Sequence, residues 1–225
     1  MKNKVWTLIV WLGLALGGSQ AAQAQERVID NFKSRPATHA DSTDTPITPL
    51  RRTGNPDTEI IGGVRLVEFG AAPNLGGPVR MSVLDIPREG PLFVESGVNS
   101  TVGLTLTYGT DGKGGANPLN FEFDRLGFNL FRIEFLACDL ELNYLVQVFD
   151  GNGNNAIHSG PVSTANRNLA FNADFRKADF SPGAPNPVNW DDIDLIVIQF
   201  NTGNATGGQD FAVKRIVALP TPPSS

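Results

Sequence analysis

Thr101-Val102-Gly103-Leu104-Thr105-Leu106-Thr107-Tyr108 puts Val102, Leu104 and Leu106 on one side of the chain and Gly103, Thr105 and Thr107 on the other. A period of two marks a half-buried β-strand, because successive side chains point to opposite faces of a sheet. The same reading extends outward from this stretch. It predicts strands near 58–69, 79–85, 91–95, 119–124, 130–137, 143–149, 167–173, 192–200 and 210–218. Turn clusters separate them: Pro73 to Pro78, Gly109 to Pro118, Gly151 to Asn155, Ser181 to Pro187 and Asn201 to Gln209. Glycine supplies positive φ, proline pre-sets the turn, and asparagine tolerates the left-handed region. Many short strands with this punctuation predict an all-β chain, an antiparallel β-sandwich of jelly-roll type. No stretch has amphipathic helical spacing. Phe175-Arg176-Lys177-Ala178 fits one turn at most.

Leu195-Ile196-Val197-Ile198 is apolar on both faces, which predicts a central strand covered by protein on both sides. The chain has 14 Phe, two Tyr and three Trp, and only Trp190 lies beyond the first 24 residues. That balance predicts a core filled by aromatics without a polar tip.

The N-terminus reads as a secretory signal peptide over residues 1–24. Lys2 and Lys4 precede an apolar run from Val5 to Leu16, and Ala22-Gln23-Ala24 offers a small-x-small cleavage pattern. The run is too short to span a bilayer core of about 30 Å. The mature chain is expected to start at Gln25 and to work outside the cytoplasm, in the periplasm or beyond the cell. A single sandwich domain is expected over 25–219, followed by a Pro/Ser tail at 220–225. Within it, residues 34–57 carry Pro36, Pro46, Pro49 and Pro56 among polar residues and read as a flexible arm.

Lys2 and Lys4 are two of the 18 basic residues, so the mature chain sets 16 bases against 23 acids. This acidic balance disfavours nucleic acid and anionic lipid as partners. Cys138 is the only cysteine, so no internal disulfide can form. Its apolar neighbours Phe135, Leu136 and Ala137 predict a buried, inert thiol.

Three segments are similar to secreted bacterial jelly-roll modules of the galactose-binding-like, carbohydrate-binding type. Val28-Ile29-Asp30-Asn31-Phe32 resembles their first strand, and Ile60 to Arg65 an early strand after a loop. Asp192 to Ile198 and Asp210 to Ile216 resemble their last two strands. The resemblance implies a glycan as partner. It also implies that a structural calcium ties the first strand to the last, which points to Asp30 and Asp210.

Sugar binding stacks an apolar sugar face on an exposed aromatic, with amides and carboxylates nearby for the hydroxyls. Trp190 beside Asn189 and Asp191, and Tyr108 beside the loop holding Asp111, are the two candidate platforms. Asp150-Gly151-Asn152-Gly153-Asn154 opens like a calcium loop. It then places Asn155 where that loop needs glycine and Pro161 where it needs glutamate, so a hairpin turn is expected. Glu122 with Asp124, and Glu134 with Arg132, read as solvated faces opposite packed phenylalanines. No pair of carboxylates is singled out for hydrolysis, and no Gly-x-Ser-x-Gly or His-Glu-x-x-His segment occurs. Asn99 and Asn204 head glycosylation sequons but are expected to be turn residues. The functional expectation is a noncatalytic binding module for a carbohydrate of an envelope or matrix. The alternatives are a structural surface protein making protein–protein contacts and a secreted glycan-active enzyme. The sequence leaves the oligomeric state open.

Overall fold

The computed structural model describes residues 25–34, 38–41, 49–72, 79–83, 90–96, 101–162, 169–184, 186–201 and 209–220. Residues 1–24, the tail from Thr221, Asn99 and Asn204 lie outside these residues. The strands are β1 (Arg27–Asp30), β2 (Thr38–Asp41), β3 (Leu50–Thr53), β4 (Val64–Ala72), β5 (Val79–Val83), β6 (Leu92–Ser96), β7 (Thr101–Tyr108), β8 (Phe128–Cys138), β9 (Leu142–Asp150), β10 (Asn155–Val162), β11 (Phe171–Arg176), β12 (Ser181–Ala184), β13 (Ile193–Phe200) and β14 (Phe211–Pro220). The helical content among the described residues is two one-turn 3-10 segments, Ile61–Gly63 and Lys177–Asp179. The second falls at the one helical turn the sequence allowed.

Two seven-stranded sheets form the sandwich. One runs β11-β8-β14-β6-β5-β2, with β1 also on β14; the other runs β12-β10-β9-β13-β7-β4-β3. The pairings are antiparallel, and from β7 onward the chain passes repeatedly from one sheet to the other, as in a jelly roll. Alternation places one face of each strand inside. β9 shows it most plainly: Leu142, Tyr144, Val146 and Val148 are buried, while Asn143, Leu145, Gln147 and Phe149 are only half-buried. The inner faces meet through rings, with Phe135 of β8 edge-on to Phe200 of β13 at 6.2 Å and Tyr144 of β9 against Phe175 of β11 at 4.6 Å. Ile133, Val213 and Ile216 face Leu106, Val146 and Ile196 across this core. Each such side chain contributes about 1.5–3 kcal/mol by leaving water.

Several expectations are corrected. The 34–57 arm holds two strands: β2 pairs with β5, and β3 pairs with β4. β3 reads Leu-Arg-Arg-Thr and sits at a sheet edge, where one apolar residue is enough to anchor it. Residues 119–124 form no strand: they are irregular, with a single bridge from Phe121 to Ile193 and a turn that begins at Phe123. The Phe121, Phe123 and Phe128 rings collect there at 5.6–5.8 Å, so the spacing of two buries aromatics without a ladder. β10 and β12 arise in stretches that lack apolar alternation. In β10 only Ala156 and Val162 are buried, and the strand is held by full-length pairing with β9. β13 is central in its sheet, between β9 and β7, but it is not buried on both faces: Leu195 and Val197 on the outer face are only half-buried.

Candidate functional site

The segment before β13 is clamped by the backbone and leaves one aromatic at the surface. The Asn189 N–H donates to Asp150 Oδ2 at 2.9 Å, and the Asp191 N–H to Asn189 Oδ1 at 3.1 Å. The Phe123 N–H donates to the Trp190 carbonyl at 2.9 Å, and the Arg125 N–H to Asp191 Oδ1 at 2.6 Å. Trp190 is therefore held from both sides of its own peptide. Its ring lies 5.4 Å from Phe123 and 5.3 Å, edge-on, from Phe180, and it remains half-buried. It forms a wall of an open depression of about 310 Å³, together with Asn129, Phe180, Pro182 and Pro187. Lys177 stands over the indole, with Nζ 5.6 Å from the ring centroid, and is paired with Asp124. The depression thus combines an aromatic wall with an ammonium and an amide.

The second platform is overturned. Tyr108 is fully buried, and its hydroxyl donates to Asp30 Oδ2 at 2.9 Å. Burial, and next the Asp30 charge, push the phenol well above its ordinary range. Asp111 is a loop-former: its Oδ1 accepts the N–H groups of Lys113 and Gly115 at 2.7 and 2.8 Å, and these bonds hold its carboxyl below the usual range. Its carbonyl accepts Arg51 Nε of β3, whereas Pro182 beside Trp190 belongs to β12. β3 and β12 are opposite edges of one sheet, so Asp111 and Trp190 do not share a site.

Asp30 and Asp210 cannot share a cation. Asp30 stands opposite Ile216 of β14, six positions along from Asp210, a separation of about 20 Å at about 3.3 Å per residue. The Asp30 oxygens are already taken by Arg65 and Tyr108. The Asp150 carboxylate likewise accepts from the Asn152 and Asn154 N–H groups, the Asn154 amide and the Asn189 N–H. It closes the hairpin and ties it to the Trp190 segment. Among the described residues no group of three or more His, Cys, Asp or Glu could hold a metal ion.

Of the acids read as solvated faces, Glu122 pairs with Arg125, Asp124 with Lys177 and Glu134 with Arg215. Sequence reading missed the outer face of the second sheet. There Leu145 and Gln199 are cross-strand partners, as are Gln147 and Val197, with Thr105 and Thr107 beyond them. The signal was present, because these residues alternate with the buried set of the same strands. Among the described residues no helix is long and apolar enough to cross a membrane.

No protein-family model matches the chain, and no curated protein matches it. Among solved structures it is similar to a family 11 carbohydrate-binding module from Clostridium thermocellum in complex with a β-1,3-1,4-mixed-linked tetrasaccharide. The identity is 10%, the match covers 87% of this chain and 95% of that one, and the TM-score is 0.38. A solution structure of the module CtCBM11 gives 12% identity, 90% and 99% coverage and a TM-score of 0.41. TmCBM61 in complex with β-1,4-galactotriose gives 11%, 86% and 99%, and 0.29.

Proposed function

We propose that this chain is a secreted, noncatalytic module that binds a carbohydrate of a cell envelope or matrix, with Trp190 as its platform. One observation carries the reading: a half-buried indole forms the wall of an open depression whose other groups include Lys177 and Asn129. An aromatic with one apolar surface and polar neighbours suits a ligand that has a C–H face and hydroxyl edges. Residues 1–24 support export, because they carry the basic, apolar and small-residue regions of a signal peptide. The test is a binding screen of the chain from Gln25 against a broad panel of neutral polysaccharides. Specific binding that is lost in Trp190→Ala supports the reading; a folded protein that binds none of them overturns it.

A second reading is a structural surface protein. The half-exposed Leu145, Phe149, Leu195 and Val197 on the outer face of the second sheet favour it. Sedimentation decides: self-association that is weakened by Val197→Lys supports a contact between copies, and a strict monomer argues against one.

A further inference from the structure

β14 is flanked on one side by two different strands that do not meet. β6 pairs with Phe211, Ala212 and Val213, and β1 with Ile216, Val217 and Ala218. Lys214 and Arg215 lie in the interval. On the other side, the register with β8 passes from Val213 opposite Phe135 to Arg215 opposite Glu134, so Lys214 is the extra residue of a β-bulge. A bulge bends its strand and re-aims a side chain, and bulges recur beside binding sites.

A cleft of about 450 Å³ opens at this split. Its apolar lining is Val28, Pro91 and Leu136, and its charged lining is Lys33, Lys214 and Arg215. Arg215 is already neutralised: its Nε and Nη2 donate to the two Glu134 oxygens at 2.8 and 2.6 Å, and its Nη1 pairs with Glu26. Lys33 and Lys214 are exposed and make no ion pair with any described residue. The cleft is positive on a chain whose formal net charge is −5.

The walls are built. Asn31 Oδ1 accepts the Lys33 N–H at 3.0 Å, and its Nδ2 donates to the Thr58 carbonyl at 2.7 Å. Phe32 between them holds a φ of 56°, a conformation that is an outlier for a bulky residue. Gly90 packs so closely on this turn that a Cβ there would lie 2.5 Å from the Phe32 carbonyl oxygen. The exit of β1 and the approach to β6 are therefore locked together, and Lys33 and Lys214 line the same cleft.

We infer that this cleft binds an acidic saccharide through a uronate unit. The sugar C–H face lies on Val28, Pro91 and Leu136, and the carboxylate lies between the two ammonium groups. The volume falls within the range of small-ligand sites, about 300–1,000 Å³. The site is separate from the Trp190 depression: Leu136 and Asn129 are seven positions apart on β8, about 23 Å along the strand.

The test is calorimetric titration of the chain from Gln25 at low salt. The probes are trigalacturonate, its methyl ester, tetramannuronate, a hyaluronan tetrasaccharide and sodium sulfate. At least one acidic oligosaccharide is expected to bind, with affinity falling as salt screens the ammonium groups. The Lys33→Gln/Lys214→Gln double variant is expected to bind it at least about tenfold more weakly, and Trp190→Ala is expected to bind it unchanged. Both lysines are exposed, and an unaltered melting temperature of the double variant confirms its fold. Four results would overturn the inference: no binding to any of the acids, equal binding of trigalacturonate and its methyl ester, an unaffected double variant, or sulfate binding as tightly as the oligosaccharides. Loss of neutral-glycan binding in Trp190→Ala with uronate binding retained keeps the two sites distinct.

Discussion

The Asp30 carboxylate and the Arg65 guanidinium meet in the interior of the sandwich, with Arg65 Nη1 2.7 and 2.6 Å from the two carboxylate oxygens. Their side chains are 0% and 1% exposed, so this ion pair joins the two sheets without water. The Tyr108 hydroxyl and the Phe32 N–H complete the carboxylate, and the Phe32 ring lies 4.9 Å from the guanidinium. Among the described residues Arg65 Nε and Nη2 have no hydrogen-bond partner, and Asp30 is the one that compensates the charge through a direct bond. Removing one member of a buried pair leaves the other uncompensated, at a cost of about 3–5 kcal/mol. Asp30→Asn is therefore expected to lose about that much in urea unfolding. Tyr108→Phe deletes only a hydrogen bond to a charged group and is expected to lose about 1.5–3 kcal/mol. Equal stability of Asp30→Asn and the parent would show that the pair does not hold the sheets together.

Chelation follows from the same contacts. With Asp30 committed to Arg65, and Asp210 about 20 Å away along β14, calcium cannot bridge the first strand to the last. The melting temperature is expected to be the same in excess calcium and in excess chelator. A chelator-dependent fall would mean that a cation stabilises the folded state elsewhere in the chain.

Trp190 makes a different prediction, because its ring is half-buried. Trp190→Ala removes contacts with Phe123 and Phe180 as well as the platform. It is expected to cost about 1–2 kcal/mol of stability, below the about 3–5 kcal/mol of a fully buried tryptophan. Neutral-glycan affinity is expected to fall at least about tenfold, with partial recovery in Trp190→Phe. Affinity that survives in a folded Trp190→Ala protein would move the site to the outer face of the second sheet.

Periodicity made most of the fold legible, and its failures have physical causes. β7 was readable residue by residue, because Leu104 and Leu106 are buried between half-exposed threonines. β10 was not, because Asn155, His158, Ser159 and Pro161 say nothing of a strand whose hold is backbone pairing with β9. Trp190 was identifiable as a surface aromatic by its polar neighbours. Tyr108 looked the same by its polar neighbours, but it follows Leu104 and Leu106 on the buried face of β7, and its hydroxyl meets Asp30 of the opposite sheet, 78 residues away. The basic cleft was hidden for a related reason. Lys33 and Lys214 are 181 positions apart in the chain, and a bulge and a gap between two strands bring them together.

Acid sensitivity follows from Glu134 and Asp150. The bidentate bond from Arg215 holds the Glu134 carboxyl below its ordinary value of 4.5. Burial opposes ionisation of Asp150, but its four hydrogen bonds outweigh that and hold it below its ordinary 3.8. A carboxyl whose folded value is depressed contributes stability above its unfolded value and loses it as pH falls through the folded one. Stability is therefore expected to decline below about pH 4.5. Glu134→Gln is expected to start lower at pH 7 and to converge on the parent as both approach pH 2. Parallel curves would show that the Arg215 bond does not set the acid limb.

Cys138 tests burial at a single atom. Its side chain is 3% exposed, and its thiol donates to the Leu140 carbonyl at 3.0 Å. Burial is the largest influence on it and pushes the thiol up to about 11. The thiolate is the reactive form, and a free cysteine ionises near pH 8.5. At pH 8 the native chain should therefore hold more than about a hundredfold less thiolate than the unfolded chain. Labelling with a disulfide reagent at pH 8 is expected to be slow in buffer and fast in urea, and to track unfolding when urea is raised stepwise. Rapid labelling of the native protein would place the end of β8 at the surface and contradict the packing of Phe211 and Gln209 around it.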